Sequence, residues 1–240
     1  MNIGFYSAGQ GVIEMQTAMD VTSNNVANVQ TNGYKTIRPS FADLIYTEQN
    51  KLNEDVHTGH GVRMAKTDLM YKTGNMMHTE RDLDFATPSE GLFAIEQPDG
   101  EIMYTKDGAF FITQTADDTW TLVDGRGGFV LDYNGEHIDV QFKEDGTVDN
   151  GDITEKLGVY VFDNPYGLDL NGDNYFIETE SSGVAVSDIS MPKKNGYLES
   201  STVDLAEEMV KVIQFQRAFQ FNTKMVQTHD ELQNIVNNLR

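Results

Sequence analysis

The sequence predicts an α+β protein in which N- and C-terminal amphipathic helical arms pair as a coiled-coil-like unit and flank a central antiparallel β-sandwich or barrel-like domain. Apolar residues repeat at helical spacing near both ends, Asp-Gly and Asn-Gly pairs recur in the middle, and nearly all of the net charge lies there. We therefore divide the 240 residues into an N-terminal helical arm (1–40), an extended connector (41–81), an acidic all-β domain (82–190) and a C-terminal helical arm (191–240).

The N-terminal arm carries a stripe of mostly apolar residues with alternating spacings of three and four. Positions 5, 8, 12, 15, 19, 22, 26 and 29 are Phe, Ala, Val, Met, Met, Thr, Val and Val. This stripe predicts an amphipathic helix over about the first 30 residues. Residues 31–33 (TNG) are predicted to end it, because glycine suits the left-handed turn that follows many helices.

Short apolar runs separated by turn dipeptides follow from residue 91 onwards. The turn pairs are Asp99-Gly100, Asp107-Gly108, Asp124-Gly125, Asn134-Gly135 and Asp145-Gly146. Such pairs favour the tight turns that join antiparallel strands. They predict a series of hairpins in the central domain, with a buried strand at 158–162 (GVYVF).

The C-terminal arm is predicted to form one long helix, because residues 202–240 contain neither Gly nor Pro. Ser201 or Asp204 can act as its N-cap, with Glu207 as the capping-box partner of Asp204. Positions 205, 209, 212, 216, 219, 223 and 226 are Leu, Met, Val, Gln, Phe, Thr and Val, and the stripe then shifts to Met225, Leu232, Val236 and Leu239. Such a helix is about 55 Å long, more than one small globule can easily cover.

Both predicted helices are rich in Asn and Gln, which favours contact with other subunits, since an unpaired charge in an interface is costly. We therefore predict a subunit interface formed by ten apolar positions. They are Val12, Met15, Met19, Val26, Leu205, Met209, Val212, Phe219, Val226 and Leu232. An ordinary helix pair at the edge of a globule is the alternative.

The charge distribution excludes several classes of partner. Residues 82–190 hold 24 Asp and Glu against four Lys and Arg, a net charge of −20 out of −21 for the chain. Nucleic acid and anionic membranes are poor partners for such a surface. No apolar run of membrane-spanning length and no basic, apolar leader is visible, so neither membrane insertion nor a cleaved signal peptide is expected.

No residue set predicts catalysis, a cofactor or a metal site. The chain has no cysteine, so disulfides and thiolate metal sites are excluded. Asp169, Asn171 and Asp173 match the first oxygen ligands of a calcium loop, but Asn174 stands where that loop needs glycine and no helices flank it. A solvated turn is therefore favoured, and ion binding by these three residues is left open.

Both ends of the chain resemble one protein family. Residues 24–35 (NNVANVQTNGYK), here called the N-terminal motif, and residues 196–209 (GYLESSTVDLAEEM), the C-terminal motif, resemble the signatures of flagellar basal-body rod and hook proteins. Residues 91–110 are similar to the β-domain of rod proteins of the FlgF/FlgG type, although residues 89–91 (SEG) depart from the Gly-x-Gly common in the FlgG type.

The resemblance implies a non-enzymatic structural subunit that self-assembles into a tubular axial rod, transmits torque and lines an export channel. It implies partners among copies of itself, other flagellar axial proteins and the flagellar export apparatus, with no cofactor. The implied location is the bacterial flagellar basal body, in the periplasm or cell wall, after export without a cleaved signal.

Two other functions are compatible with parts of the sequence. An acidic calcium- or carbohydrate-binding β-domain protein would account for the charge of residues 82–190 but not for the two arms. A coiled-coil adaptor that does not polymerise would account for the arms. The resemblance covers both and extends over nearly the whole chain, and it leaves proximal and distal rod types open.

Overall fold

The computed structural model describes residues 3–48, 57–115, 118–143, 146 and 148–239. Its helices are α1 (Ile3–Ala27), α2 (Asn150–Lys156) and α3 (Leu205–Asn238), with a short 3-10 turn at Pro165–Gly167. The sheets are all antiparallel. Terminal helices and antiparallel sheets confirm the predicted α+β class.

The chain forms two compact units, each built from segments that are distant in sequence. The first unit combines Met1–Ala27, Ile37–Met70 and Val203–Arg240, and the second combines Asn28–Thr36 and Tyr71–Thr202. The four predicted segments therefore describe the order along the chain, whereas each unit draws on both ends of it. No helix among the described residues is long and apolar enough to cross a membrane.

In the first unit, α1 and α3 pack against each other and α1 also contacts an extended hairpin. The strands of this unit are β1 (Ile37–Asp43), β2 (Tyr46–Glu48), β3 (His57–Gly59) and β4 (Val62–Leu69). β1 pairs with β4, with a register shift between Ser40 and Phe41, and β2 pairs with β3. The Glu14 carboxylate of α1 accepts a hydrogen bond from the Met64 amide of β4 at 2.8 Å, so part of the predicted connector is fixed to the N-terminal helix.

The N-terminal helix ends earlier than predicted, whereas the C-terminal helix begins at a predicted cap. α1 ends at Ala27, and Gly33 adopts its left-handed φ of 66° only after a further turn, in a segment that belongs to the second unit. Asp204 caps α3 as predicted, accepting hydrogen bonds from the amides of Ala206 and Glu207. The predicted capping-box role of Glu207 is wrong, because its side chain is drawn instead to the positive charges of Lys211 and Arg38.

The second unit contains a seven-stranded sheet in the order β13-β14-β8-β7-β11-β10-β9 and three two-stranded pairs, β17-β5, β16-β6 and β12-β15. Its strands are β5 (Met76–His78), β6 (Phe85–Ala86), β7 (Phe93–Glu96), β8 (Ile102–Thr105), β9 (Phe111–Gln114), β10 (Trp120–Val123), β11 (Phe129–Val130), β12 (Tyr160–Val161), β13 (Asp169–Leu170), β14 (Tyr175–Ile177), β15 (Val186–Ser187), β16 (Lys194–Asn195) and β17 (Tyr197–Glu199). The sheet is open, with β13 and β9 at its edges, so no barrel closes within the described residues. Its core includes Phe93, Leu122 and, from α2, Ile153.

Two of the five predicted turns join paired strands, Asn134-Gly135 joins the bridged residues Leu131 and His137, and Asp107-Gly108 does not form a hairpin. Asp99-Gly100 joins β7 to β8, and Asp124-Gly125 joins β10 to β11, where the Asp124 carboxylate accepts from the amide of Gly128 at 2.8 Å. Asp107-Gly108 connects strands that do not pair with each other. Gly108 is instead needed for close approach, because a side chain there would collide with the carbonyl of Phe85. Asp145 lies outside the described residues.

Candidate assembly surface

The two long helices of the first unit run antiparallel in a register fixed by two contacts. Gly11 faces Asn222, and Asn25 donates a hydrogen bond to the Glu208 carboxylate at 3.1 Å. Residue numbers thus rise on α1 as they fall on α3, and the two residue numbers add to the same value in both of these pairs. By this register α1 begins opposite residue 230, so the last turns of α3 extend about 12 Å past it at 1.5 Å per residue.

The face of α1 that meets α3 consists of small and polar residues. Its buried members are Ala8, Gly11, Ala18, Thr22 and Asn25. A β-carbon at Gly11 would lie 2.7 Å from the amide nitrogen of the Asn222 side chain, so a larger residue there would displace that side chain. Small side chains let the helix backbones approach closely, and this leaves the larger apolar residues of both helices to one side of the contact.

The ten residues predicted as a subunit interface fall into two groups. Half-buried in this chain are Val12, Met15, Met19, Val26, Val212, Phe219 and Val226. Leu205, Met209 and Leu232 are exposed, the last two at 53% each. Spacing of three and four residues allows stripes in neighbouring registers. The predicted α1 stripe shares Ala8 and Thr22 with the helix contact, which otherwise runs through Gly11, Ala18 and Asn25. Nothing in a single chain tests contact with another subunit, so their interface role stays a prediction.

The outward face of the helix pair carries many exposed apolar side chains. On α3 and its C-cap they are Leu205, Met209, Val210, Ile213, Phe221, Met225, Leu232, Ile235, Val236 and Leu239, and on α1 they are Phe5, Tyr6 and Ile13. Glu208 is the one residue of α3 that is fully buried. Exposed apolar surface of this extent is typical of a site of contact with another protein.

A buried amide in the N-terminal motif holds three elements of the first unit together. Asn25 donates to the carbonyl of Ile37 at 2.7 Å and accepts from the amide of Ile37 at 3.0 Å, so its side chain extends β1 by one hydrogen-bonded pair. The same amide donates to Glu208 of α3, whose carboxylate also binds Lys211 at 2.7 Å. Asn25 therefore joins α1, β1 and α3 through one side chain.

A second buried polar group lies in the second unit and consists of Lys35, Lys106 and Glu199, here called the lysine–glutamate cluster. The Lys35 ammonium lies 2.6 Å from one Glu199 carboxylate oxygen, and the Lys106 ammonium lies 3.5 Å from the other. All three side chains are at most 2% exposed. The cluster thus joins the N-terminal motif, the end of β8 and the C-terminal motif.

The remaining hydrogen bonds of the two ammonium groups go to backbone carbonyls. Lys35 donates to the carbonyl of Lys72 at 2.7 Å, and Lys106 donates to the carbonyls of Ser89 and Gly91. Each lysine therefore holds a further segment of chain, since a buried ammonium needs a full set of acceptors.

Two glycines allow the backbone to approach the cluster. The Gly33 amide donates to the Glu199 carbonyl at 2.7 Å, and the Gly74 amide donates to the Glu199 carboxylate at 2.6 Å. Gly33 has φ of 66°, and a β-carbon on it would lie 2.8 Å from the Lys106 backbone. Both positions therefore require glycine for geometry and not for flexibility.

Burial lowers the pKa of Lys106 to about 8, with Glu199 acting in the opposite direction and Lys35 adding to the decrease. Burial also lowers the pKa of Lys35, again opposed by Glu199. The Lys35 ammonium lies over the ring of Tyr71, 5.5 Å from its centroid, and burial raises the pKa of that phenol. The cluster holds two ammonium groups and one carboxylate, so it is crowded with positive charge.

Both motifs are recognisable in the sequence, but nothing in it indicates a role for Asn25, Lys35 or Glu199. No periodicity marks them, because each one acts through a partner more than ten residues away. The residues that match a calcium loop are engaged elsewhere. Asp169 lies in β13, and the Asp173 carboxylate pairs with Arg126. Among the described residues no group of three or more His, Cys, Asp or Glu is placed to hold a metal ion.

Comparison with known proteins gives matches at both ends and over nearly the whole chain. The family described as flagella basal body rod protein matches residues 5–35, and the C-terminal family of flagellar basal body rod FlgEFG proteins matches residues 194–239. The chain is 34% identical to the flagellar basal-body rod protein FlgG of Borreliella burgdorferi, over 98% of this chain and 97% of the relative. It is 34% identical to FlgG of Bacillus subtilis over 97% of each chain, and 31% identical to the flagellar hook-basal body complex protein FlhP of that organism over 95% of each.

The hydrogen bonds of Asn25 predict a local effect on the stability of the first unit. In Asn25→Ala the amide and carbonyl of Ile37 lose their partner, and this should lower the free energy of unfolding by on the order of 2 kcal/mol or more. Ser23→Ala, on an exposed position of the same helix, is the control and should have almost no effect. Urea unfolding followed by circular dichroism measures both, and equal midpoints for the two variants would contradict the role given to Asn25.

The lowered pKa of Lys106 predicts a pH dependence of stability. An unfolded lysine keeps its proton up to about pH 10.5, whereas folded Lys106 releases it near pH 8, so between these values the unfolded state binds more protons. Stability should therefore rise as the pH increases from 8 to 9.5, with a slope of at most about 1.4 kcal/mol per pH unit for this one group. Lys106→Met should flatten this rise in urea titrations across the range, and an unchanged slope in that variant would refute the assignment.

Proposed function

This chain belongs to the family of flagellar basal-body rod proteins and is a structural subunit of the rod, and we propose that its subunits join through the outward faces of α1 and α3. The family membership confirms the resemblance seen in the two motifs and places the protein in the flagellar basal body. The observation that carries the proposal is the row of exposed apolar residues along α3 and its extension past α1.

A helix such as α3 needs a covering surface. It is 34 residues long, and within this chain its contact with α1 and β1 leaves side chains such as Phe221, Ile235 and Val236 exposed at 55% or more. Isolated helices are only marginally stable in water. In proteins, a helix gains most of its stability from the packing of its apolar face. A second copy of the chain, or another axial protein, would supply that packing.

The two groups of predicted interface residues then take different parts. Leu205, Met209 and Leu232 contact a neighbouring subunit, since they are exposed on α3. The seven half-buried residues are partly covered within the chain, and their remaining surface contacts the next subunit. α1 and α3 form a coiled-coil-like unit in which the small residues of α1 set the spacing.

The assembled form is a tube that transmits torque and lines the channel for later subunits. A tube built from regular copies of one helix pair gives every subunit the same contacts, and closed or helical symmetry follows from such contacts. The subunit reaches the periplasm or cell wall through the flagellar export apparatus. Its further partners are the neighbouring proteins of the hook–basal body complex.

The exposed apolar residues of α3 predict variants that block assembly without harming the fold. Met209→Asp and Leu232→Asp should each lower polymerisation at least tenfold, because burying an unpaired carboxylate in a repeated contact costs several kcal/mol. Both residues are about half exposed, so the unfolding midpoint should stay near that of the wild type. Sedimentation and negative-stain electron microscopy of concentrated protein measure the effect.

Gln233→Asp is the matched control for these variants, because it places the same carboxylate on an exposed polar position next to Leu232. It should polymerise like the wild type. Normal tubes from both Met209→Asp and Leu232→Asp would exclude the outward face of α3 as the subunit contact.

The charge distribution predicts how salt affects assembly. Residues 82–190 of neighbouring subunits carry −20 each and repel one another, while the helical arms are close to neutral. Added salt screens repulsion over about 8–10 Å and leaves apolar contacts intact, so light scattering of purified protein should rise from low to moderate NaCl. Polymer that forms only at low salt would point to charge-paired contacts and to an acidic binding module instead.

A further inference from the structure

We propose that the lysine–glutamate cluster is a closing latch, through which the second unit reaches its final form only when the C-terminal motif joins the N-terminal segment 28–36. The latch is a conformational device of a single chain and does not depend on the mode of assembly. It follows from which segments meet at Glu199, from the balance of charge there, and from the order of those segments along the chain.

Glu199 brings together segment 28–36, the segment around Gly74 and, through Lys106, the end of β8. Its carboxylate binds Lys35 of segment 28–36 and the amide of Gly74, and its carbonyl accepts from the amide of Gly33. The neighbouring Thr202 continues the contact, because the Thr36 amide donates to its hydroxyl at 2.9 Å and its own amide donates to the Tyr34 carbonyl. Segment 28–36 is therefore held along its C-terminal half by residues 199–202.

The balance of charge makes the docking of segment 28–36 depend on the Glu199 carboxylate. With Glu199 in place, two buried ammonium groups share one carboxylate, and the other carboxylate that acts on both lysines is that of exposed Glu90. Without Glu199, Lys35 and Lys106 would face each other in a buried site with a single distant counter-charge. A buried charge that has lost its partner is strongly unfavourable, so segment 28–36 would be expelled to solvent.

The order of the segments gives the latch its direction. Lys35 and Lys106 precede Glu199 in the sequence, the first by 164 residues. A chain that emerges N-terminus first, as from the ribosome, therefore presents both lysines long before their shared carboxylate. Segment 28–36 has other contacts with the second unit, from Lys35 to the Lys72 carbonyl and from Asn174 to the Asn32 carbonyl, but its docking is complete only when the C-terminal motif is present. In a chain that lacks this motif, the contact between segment 28–36 and residues 199–202 cannot form, and the second unit stays incomplete there.

Hydrogen exchange on full-length variants tests the latch. In Glu199→Gln, exchange at the amides of Gly33, Thr36 and Gly74 should accelerate on the order of 100-fold, because the loss of one partner leaves the others unpaired. The Leu122 amide, which donates to Ile138 in the core sheet, should keep its protection. Glu180→Gln, an exposed carboxylate of the same unit, is the control and should leave every rate unchanged.

A double variant separates the charge effect from simple loss of structure. Glu199→Gln combined with Lys106→Met removes the surplus positive charge, and it should recover at least about tenfold of the lost protection at Gly33 and Thr36. If Glu199→Gln alone fails to fold, the double variant should fold. Unchanged exchange at segment 28–36 in Glu199→Gln, or a double variant no better than the single one in folding or protection, would overturn the proposal.

Discussion

The carboxylate of Glu199 is the interaction on which the second unit depends most. It is almost completely buried, and it is the shared counter-charge of two buried lysines that lie far apart in the sequence. Buried ion pairs add little net stability, because the loss of hydration offsets most of the attraction. Their effect is on specificity: with Lys35 in place, the carboxylate and the surrounding carbonyls accept one arrangement of three chain segments, and any other leaves a charge without a partner.

The first unit uses a different constraint, the close approach of two helices. Small residues on α1, Gly11 and Ala18 among them, keep the pair narrow, and Asn25 fixes its register through Glu208 and the backbone of β1. Because the inner contact uses few large apolar residues, most of those on α3 stay on the outside. The helix pair is thus specified internally by polar and small residues and leaves its apolar surface for contact with other chains.

Local features of this fold could be predicted from the sequence and non-local ones could not. The cap at Asp204 and the hairpin turns at Asp99-Gly100 and Asp124-Gly125 depend on neighbouring residues, and the structure confirms them. The prediction of a hairpin turn at Asp107-Gly108 was wrong. Glycine is needed there because a side chain would collide with the carbonyl of Phe85, more than 20 residues away. The buried roles of Asn25 and Glu199 left no periodic pattern for the same reason, although both lie in motifs that identified the family.

The two motifs therefore do more than mark the family. The N-terminal motif supplies Asn25 to the first unit and Lys35 to the second, and the C-terminal motif supplies Glu208 to the first and Glu199 to the second. Each motif thus contributes one buried polar residue to each unit, and each of these residues has its partner in the other motif. The helix-pairing register of the first unit and the closure of the second therefore depend on the same two short segments of the chain. Polar contacts that agree with the fold in both units favour one arrangement of the chain over its competitors.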